Sequence, residues 1–176
     1  IDPVDGSSNA DRGIPFACVS IAYASSYSLK DLELAVVLDI FRGDLYHSIR
    51  NEGAFKNGTR IKVREFRGTP MIYAPCQPND PVSEERLGFE HIARRDLGSV
   101  ALGLAYIASG RVDALIDLRG VLRAVDLAAG LLLVKEAGGL VYVSHMEVRG
   151  LKRELSVMAG VKEVLNRVPV PSMMKL

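Results

Sequence analysis

From Gly98 to Gly110 the chain reads GSVALGLAYIASG, thirteen residues that are apolar nearly throughout. A segment with no polar face must be covered on every side. Its length fits a buried helix, with a buried strand as the alternative. A second stretch, VDLAAGLLLVKEAGG from Val125 to Gly139, places Leu127, Leu131 and Val134 at i, i+4 and i+7 and stops at Gly138-Gly139, which predicts another helix. Segments of this kind need further layers of structure around them.

The rest of the chain supplies those layers. FACVSIAYA (Phe16 to Ala24) and ELAVVLDI (Glu33 to Ile40) read as short buried strands, and Arg42-Gly43-Asp44 turns the chain into LYHSIR (Leu45 to Arg50), an antiparallel hairpin. Glycine turns at Glu52-Gly53 and Asn57-Gly58 precede another short strand. TPMIYAPC (Thr69 to Cys76) reads as a strand ended by a Pro-Asn-Asp-Pro loop. SEERLGFEHIARR, starting at Ser83, has an acidic first turn and a partial apolar face in Leu87, Ile92 and Ala93, and predicts a helix. VDALIDL and LVYVS follow as strands, and VKEVLNRV as a final amphipathic helix. Hairpins early and β-α alternation late predict layered sheets and helices in one continuous unit, residues 1–176.

Bulk properties narrow the function classes. The net charge of +1 gives no general attraction to nucleic acid or acidic membranes. No apolar run approaches the roughly 20 residues of a membrane span. The opening residues lack the charged and apolar regions of a signal peptide, and Cys18 and Cys76 have no paired spacing. A cytoplasmic protein with two small buried thiols is expected.

The chemistry concentrates in IDPVDGSSN at the start. Asp2 and Asp5 can send carboxylates to one side of an extended-then-turning backbone, where two negative charges are costly unless a cation neutralises them. Mg²⁺ prefers such oxygens, and the Val4 carbonyl offers a third donor. Gly6-Ser7-Ser8-Asn9 then supplies a glycine and three good helix-capping residues, whose backbone amides suit a phosphate. The plain alternative is a capped turn that starts a helix. Asp126 opens the second apolar helix, where it can cap and also aim an oxygen at a cation; Ala128, Ala129 and Gly130 let that end approach its neighbours closely.

DPVDGSSN (Asp2 to Asn9), VDLAAG (Val125 to Gly130) and EAGG (Glu136 to Gly139), with RRDLGSVALGLAYIASGRVDALIDL between them and EGAFKNGTRI before it, resemble the inositol monophosphatase and fructose-1,6-bisphosphatase superfamily of metal-dependent phosphatases, of the archaeal dual-activity type. The resemblance spans residues 1 to 145. It implies an α+β layered sandwich of the sugar-phosphatase fold, incomplete at the N-terminus: the C-terminal two-thirds of such a domain, with the remainder of a first sheet region in 1–75 and a second α/β region in 76–176. It further implies two or three Mg²⁺ ions (Mn²⁺ as a substitute), Asp2 bridging two of them, Asp5, Asp126 and the Val4 carbonyl completing the shells, Ser7 orienting the attacking water, and Gly6 and Ser7 amides holding phosphate. Val100 falls among the substrate-binding positions. The reaction implied is direct attack of water on a phosphate monoester, without a phosphoenzyme, in a homodimer.

The sequence departs from the family in several places. Val125 stands where a tryptophan is usual, Ala10 where many relatives carry an aromatic, and Gly160 where asparagine is frequent. The glutamate-rich Gly-Glu-Glu stretch that precedes the first motif in relatives has no counterpart; Glu33 and Glu52 lie in the hairpin region. The expectation is a fragment or truncated homologue with impaired catalysis and exposed sheet and helix faces. Arg95, Arg119 and Arg123 carry guanidinium groups able to grip a second phosphate, and Arg95 with Arg119 points to a bisphosphate sugar; the plain alternative makes them solvated loop charges. A metal- and phosphate-binding remnant without turnover is the competing reading, and a 3′-phosphoadenosine phosphatase a third. His47, His91 and His145 share no metal spacing.

Overall fold

The computed structural model describes residues 1–75, 82–148, 150, 152, 154–169 and 172–176. Six strands form a first sheet in chain order, every pair antiparallel: β1 (Asp2–Asp5), β2 (Cys18–Ala24), β3 (Leu32–Asp39), β4 (Leu45–Ile49), β5 (Gly53–Lys56) and β6 (Thr59–Ile61). Period-2 alternation sends Ala35, Val37, Tyr46 and Ala54 inward, where they are fully buried. On the opposite face Tyr23, Leu34, Leu45 and Ile49 are exposed.

The edge strand β1 carries the irregularity on which the site depends. Asp2 pairs with Ser20 and Asp5 with Cys18, so three steps along β1 match two along β2. In a regular strand, residues three apart point to opposite faces. The extra residue of a bulge reverses that parity, so Asp2 and Asp5 both follow the buried Ser20 and Cys18 to the inner face. Pro3, which has no N–H to donate, sits within the bulge of an edge strand, where this costs no ladder bond. After β1, Gly6 takes a left-handed conformation (φ 86°), and α1 (Ser7–Asp11) starts. A side chain at Gly6 would also meet the Phe16 carbonyl at 2.9 Å, so glycine is required twice over.

A second sheet has the order β12-β10-β11-β9-β7-β8. Its strands are β7 (Met71–Tyr73), β8 (Ala93–Arg95), β9 (Ala114–Leu122), β10 (Leu140–Val143), β11 (Leu155–Gly160) and β12 (Met174–Lys175). β7 runs parallel to both β8 and β9, and the remaining pairs are antiparallel. Between the sheets lie α3 (Val100–Ala108) and α4 (Ala124–Glu136), the two apolar segments of the sequence, in one core with the inner residues of both sheets. The outer face of the second sheet packs Ile72, Ile116 and Met158 against Leu87 of α2 (Glu84–Leu87) and Val164 and Leu165 of α5 (Lys162–Leu165). Helices and sheets alternate in layers, the expected α+β sandwich.

Several sequence expectations need correction. The helix expected from Ser83 to Arg95 is a single turn. Ser83 Oγ caps it by accepting from the Arg86 amide at 3.2 Å, and Gly88, left-handed at φ 63°, ends it. Ala93–Arg95 instead joins the second sheet as β8. The final helix is likewise one turn, and Leu155–Gly160, unrecognised in the sequence, is a central strand. Cys76 and the Pro78–Pro81 loop lie outside the described residues. No helix among the described residues is long and apolar enough to cross a membrane.

Candidate metal and phosphate site

Two elements bring three carboxylates together at one end of the helix layer. The bulged β1 brings Asp2 and Asp5, and the first turn of α4 brings Asp126; one carboxylate oxygen of each lies within 4.8 Å of the other two. Asp2 and Asp126 are each only 8% exposed. They line a cavity of about 340 Å³ together with Val4, Gly6, Ser7, Arg119 and Arg123.

Each carboxylate is held by identifiable partners. Asp5 Oδ2 accepts hydrogen bonds at 2.7 Å from Ser99 Oγ and from the Ala101 amide, at the N-terminal end of α3. Ser99, fully buried, also accepts from the Leu102 amide as the cap of that helix. Asp126 Oδ2 accepts from the Arg123 amide at 2.8 Å, which closes the first turn of α4. Asn9, from the opening motif, donates to the carbonyls of Phe16 and Leu97 at 2.8 Å each and so ties α1 to the segment leading into α3.

Burial, reinforced by the charges of Asp126 and Asp2 and opposed by the Ser99 and Ala101 hydrogen bonds, pushes the Asp5 carboxyl up to about 6. Because this pKa lies above the ordinary value, ionising Asp5 costs the metal-free fold stability as pH rises through about 6. A bound cation reverses the balance, since it needs the ionised form. Divalent-metal affinity is therefore expected to fall severalfold between about pH 7.5 and about pH 5.5, with proton release on binding growing as pH falls. Isothermal calorimetry in buffers of different ionisation enthalpy measures both.

The arginines divide. Arg119 lies on the cavity wall, its Nε and Nη2 paired bidentately with Asp117 at 3.0 and 2.7 Å. Val100 lines the same cavity and a neighbouring one of about 170 Å³ that also takes Tyr73, Asp96, Asp117 and Arg119. Arg95 is exposed at the end of β8 and donates to the Arg94 carbonyl; it lines neither cavity, because its segment is an edge strand and not the helix expected to lead into Gly98. Arg123 is no loop charge: it contacts Asp2 and Asp126. Sequence reasoning missed Ser99 as the partner of Asp5, although Ser99 lies in the segment read as a buried helix. Their separation of 94 residues left no local signal.

The model of the inositol monophosphatase family matches residues 1–167. The chain belongs to that family. It is 40% identical over 155 residues to the fructose-1,6-bisphosphatase/inositol-1-monophosphatase of Methanothermobacter thermautotrophicus, across 80% of this chain and 53% of that protein. It is 37% identical over 180 residues to the Nus factor SuhB of Pasteurella multocida, across 96% of this chain and 66% of the relative. Among solved structures, the extragenic suppressor from Pyrococcus furiosus superposes with a TM-score of 0.81 at 32% identity, across 96% of this chain and 69% of the other. This inositol monophosphatase-family chain spans about half the length of its archaeal bisphosphatase relative. Its acidic cluster fits a divalent cation: three hard oxygen donors converge, and burial, reinforced by the neighbouring charges, holds Asp5 back from ionising.

Proposed function

We propose that the chain carries the site of a Mg²⁺-dependent phosphate monoester hydrolase for sugar phosphates, with fructose 1,6-bisphosphate and inositol 1-phosphate as the substrate class. The observation that carries this reading is the convergence of Asp2, Asp5 and Asp126 in a polar cavity beside Gly6 and Ser7. The names of the archaeal relatives support the substrate class.

Asp2, Asp5 and Asp126 would hold the cations, with the Val4 carbonyl as a further donor. Bound divalent ions supply Lewis-acid charge to the phosphoryl oxygens and make water nucleophilic near neutral pH. The chain's own groups do the remaining work. Amides of Gly6 and Ser7, at the left-handed turn into α1, receive the phosphate oxygens. The Ser7 hydroxyl orients the attacking water. Ser99 and the start of α3 fix the Asp5 carboxylate, so that it needs no reorganisation when the substrate arrives.

Arg119 is the residue for a second phosphate. Its pair with Asp117 uses Nε and Nη2 and holds the guanidinium against the cavity, with Nη1 outside that pair. Arg119→Ala is expected to lower kcat/KM on fructose 1,6-bisphosphate by roughly 10- to 100-fold, the range of a charge-assisted hydrogen bond, and on inositol 1-phosphate by much less. An equal loss on both substrates would remove the second-phosphate role.

A second reading, binding without turnover, draws on the cavity itself, whose lining among the described residues holds three aspartates and no glutamate, and on the Nus-factor names among the relatives. Phosphate release by the chain with Mg²⁺, above the metal-free background, decides for hydrolysis; binding of Mg²⁺ and inorganic phosphate without release decides for the second reading. A 3′-phosphoadenosine substrate has less support, because no aromatic side chain lines the cavity among the described residues. Cys18, buried and free with its thiol pushed up to about 12 by burial, suits a reducing cytoplasmic compartment. A homodimer is the expectation carried by the family resemblance.

A further inference from the structure

Arg123 sits where a cation is needed. Its Nη2 lies 2.6 Å from Asp126 Oδ1 and 3.3 Å from Asp2 Oδ2, and its Nε lies 3.1 and 3.2 Å from the two oxygens of Asp126. One guanidinium thus spans two of the three carboxylates that converge within 4.8 Å, and its side chain is 33% exposed at the cavity wall. A surface charge that merely capped α4 would have no reason to reach β1. The cap itself does not need the side chain, because the backbone amide of Arg123 donates to Asp126.

We propose that Arg123 is the resident counter-cation of the acidic cluster: it keeps the carboxylates of Asp2 and Asp126 together when no metal is bound, and an arriving divalent cation displaces it. The inference rests on the metal site proposed above and adds an element the family motifs do not name. Three carboxylates this close repel, and some positive charge must offset the repulsion if the site is to stay assembled between metal-binding events. Arg123 does so at a cost to metal affinity, since the same oxygens cannot serve both cations at full strength. The site is then kept in shape while empty, yet holds its metal weakly enough to exchange.

The test measures metal affinity and stability separately from turnover. Wild type, Arg123→Gln and Arg123→Lys are titrated with Mn²⁺ by calorimetry and melted with chelator or with saturating Mn²⁺. Removing a unit charge within ion-pair distance is expected to tighten Mn²⁺ binding in R123Q roughly tenfold, with R123K close to wild type. R123Q is expected to melt lower than wild type in chelator and level with it in Mn²⁺. Unchanged or weaker Mn²⁺ binding by R123Q, or an equal loss of melting temperature with and without metal, would overturn the proposal and leave Arg123 a structural ion pair. Absence of Mn²⁺ binding by wild type and variants alike would remove the metal site itself, and this inference with it. A wild-type measurement avoids dependence on variant folding: the Arg123 Nε–H resonance in NMR is expected to move on saturation with Mg²⁺, and a resonance that stays in place at saturation would overturn the displacement.

Discussion

Asp126→Asn is expected to cut Mg²⁺-dependent phosphate release by on the order of a thousandfold, about 4 kcal/mol of lost transition-state stabilisation, because it removes a charged ligand from a three-carboxylate cluster. The substitution separates the two roles of the residue. An asparagine Oδ1 can accept the same hydrogen bond, so the contact from the Arg123 amide to the third residue of α4 can persist and α4 should start as before. Metal binding should weaken sharply, since the neutral amide removes one of the three negative charges that hold the cation. Calorimetry with Mn²⁺ alongside a thermal melt in chelator checks this. A variant that binds Mn²⁺ as wild type does would reduce Asp126 to a cap.

Gly130→Leu is expected to destabilise the fold by about 3 kcal/mol, since forcing extra atoms into a packed core costs 1–3 kcal/mol and often more at a contact without slack. A Cβ at Gly130 would lie 2.5 Å from Leu104 Cβ, close to the α3 backbone, so relief requires the two helices to separate. For a chain of this size the melting temperature should fall by roughly 6–12 °C. Leu104→Ala in the same molecule is expected to restore part of the loss, because the two positions share one space. No recovery in the double variant would place the strain elsewhere. The prediction bears on function through α4, whose first turn supplies Asp126; a displaced α4 moves a ligand.

The parts of the site carried by contiguous motifs were readable from the sequence. The run from Asp2 to Asn9 reads as carboxylates followed by a helix start, and the structure has a strand, a left-handed Gly6 and α1 in that order. Asp126 heads a helix whose apolar spacing is evident from Leu127 to Val134. What escaped depends on partners distant in sequence. Leu155–Gly160 reads LSVMAG, with a single β-branched residue and no turn signal immediately before it, and becomes a strand because β9 and β10 flank it on both sides. The pattern after Ser83 looked helical because Ile92 and Ala93 are spaced for it, yet Gly88 stops the helix after one turn and the sheet edge takes Ala93–Arg95. In one dimension Arg95, with Arg119, is the stronger candidate and Arg123 the weaker. Tertiary placement put Arg95 at an exposed edge and Arg123 among the carboxylates.

The bulge in β1 sets a rule for moving or varying this site. An odd spacing between the two acids demands an irregular strand, and an even spacing would demand a regular one. Deleting either Pro3 or Val4 while the bulge remained would therefore turn one acid outward, and ironing out the bulge while keeping DPVD would do the same. Anyone grafting the acidic pair onto another sheet must transplant the defect along with the residues.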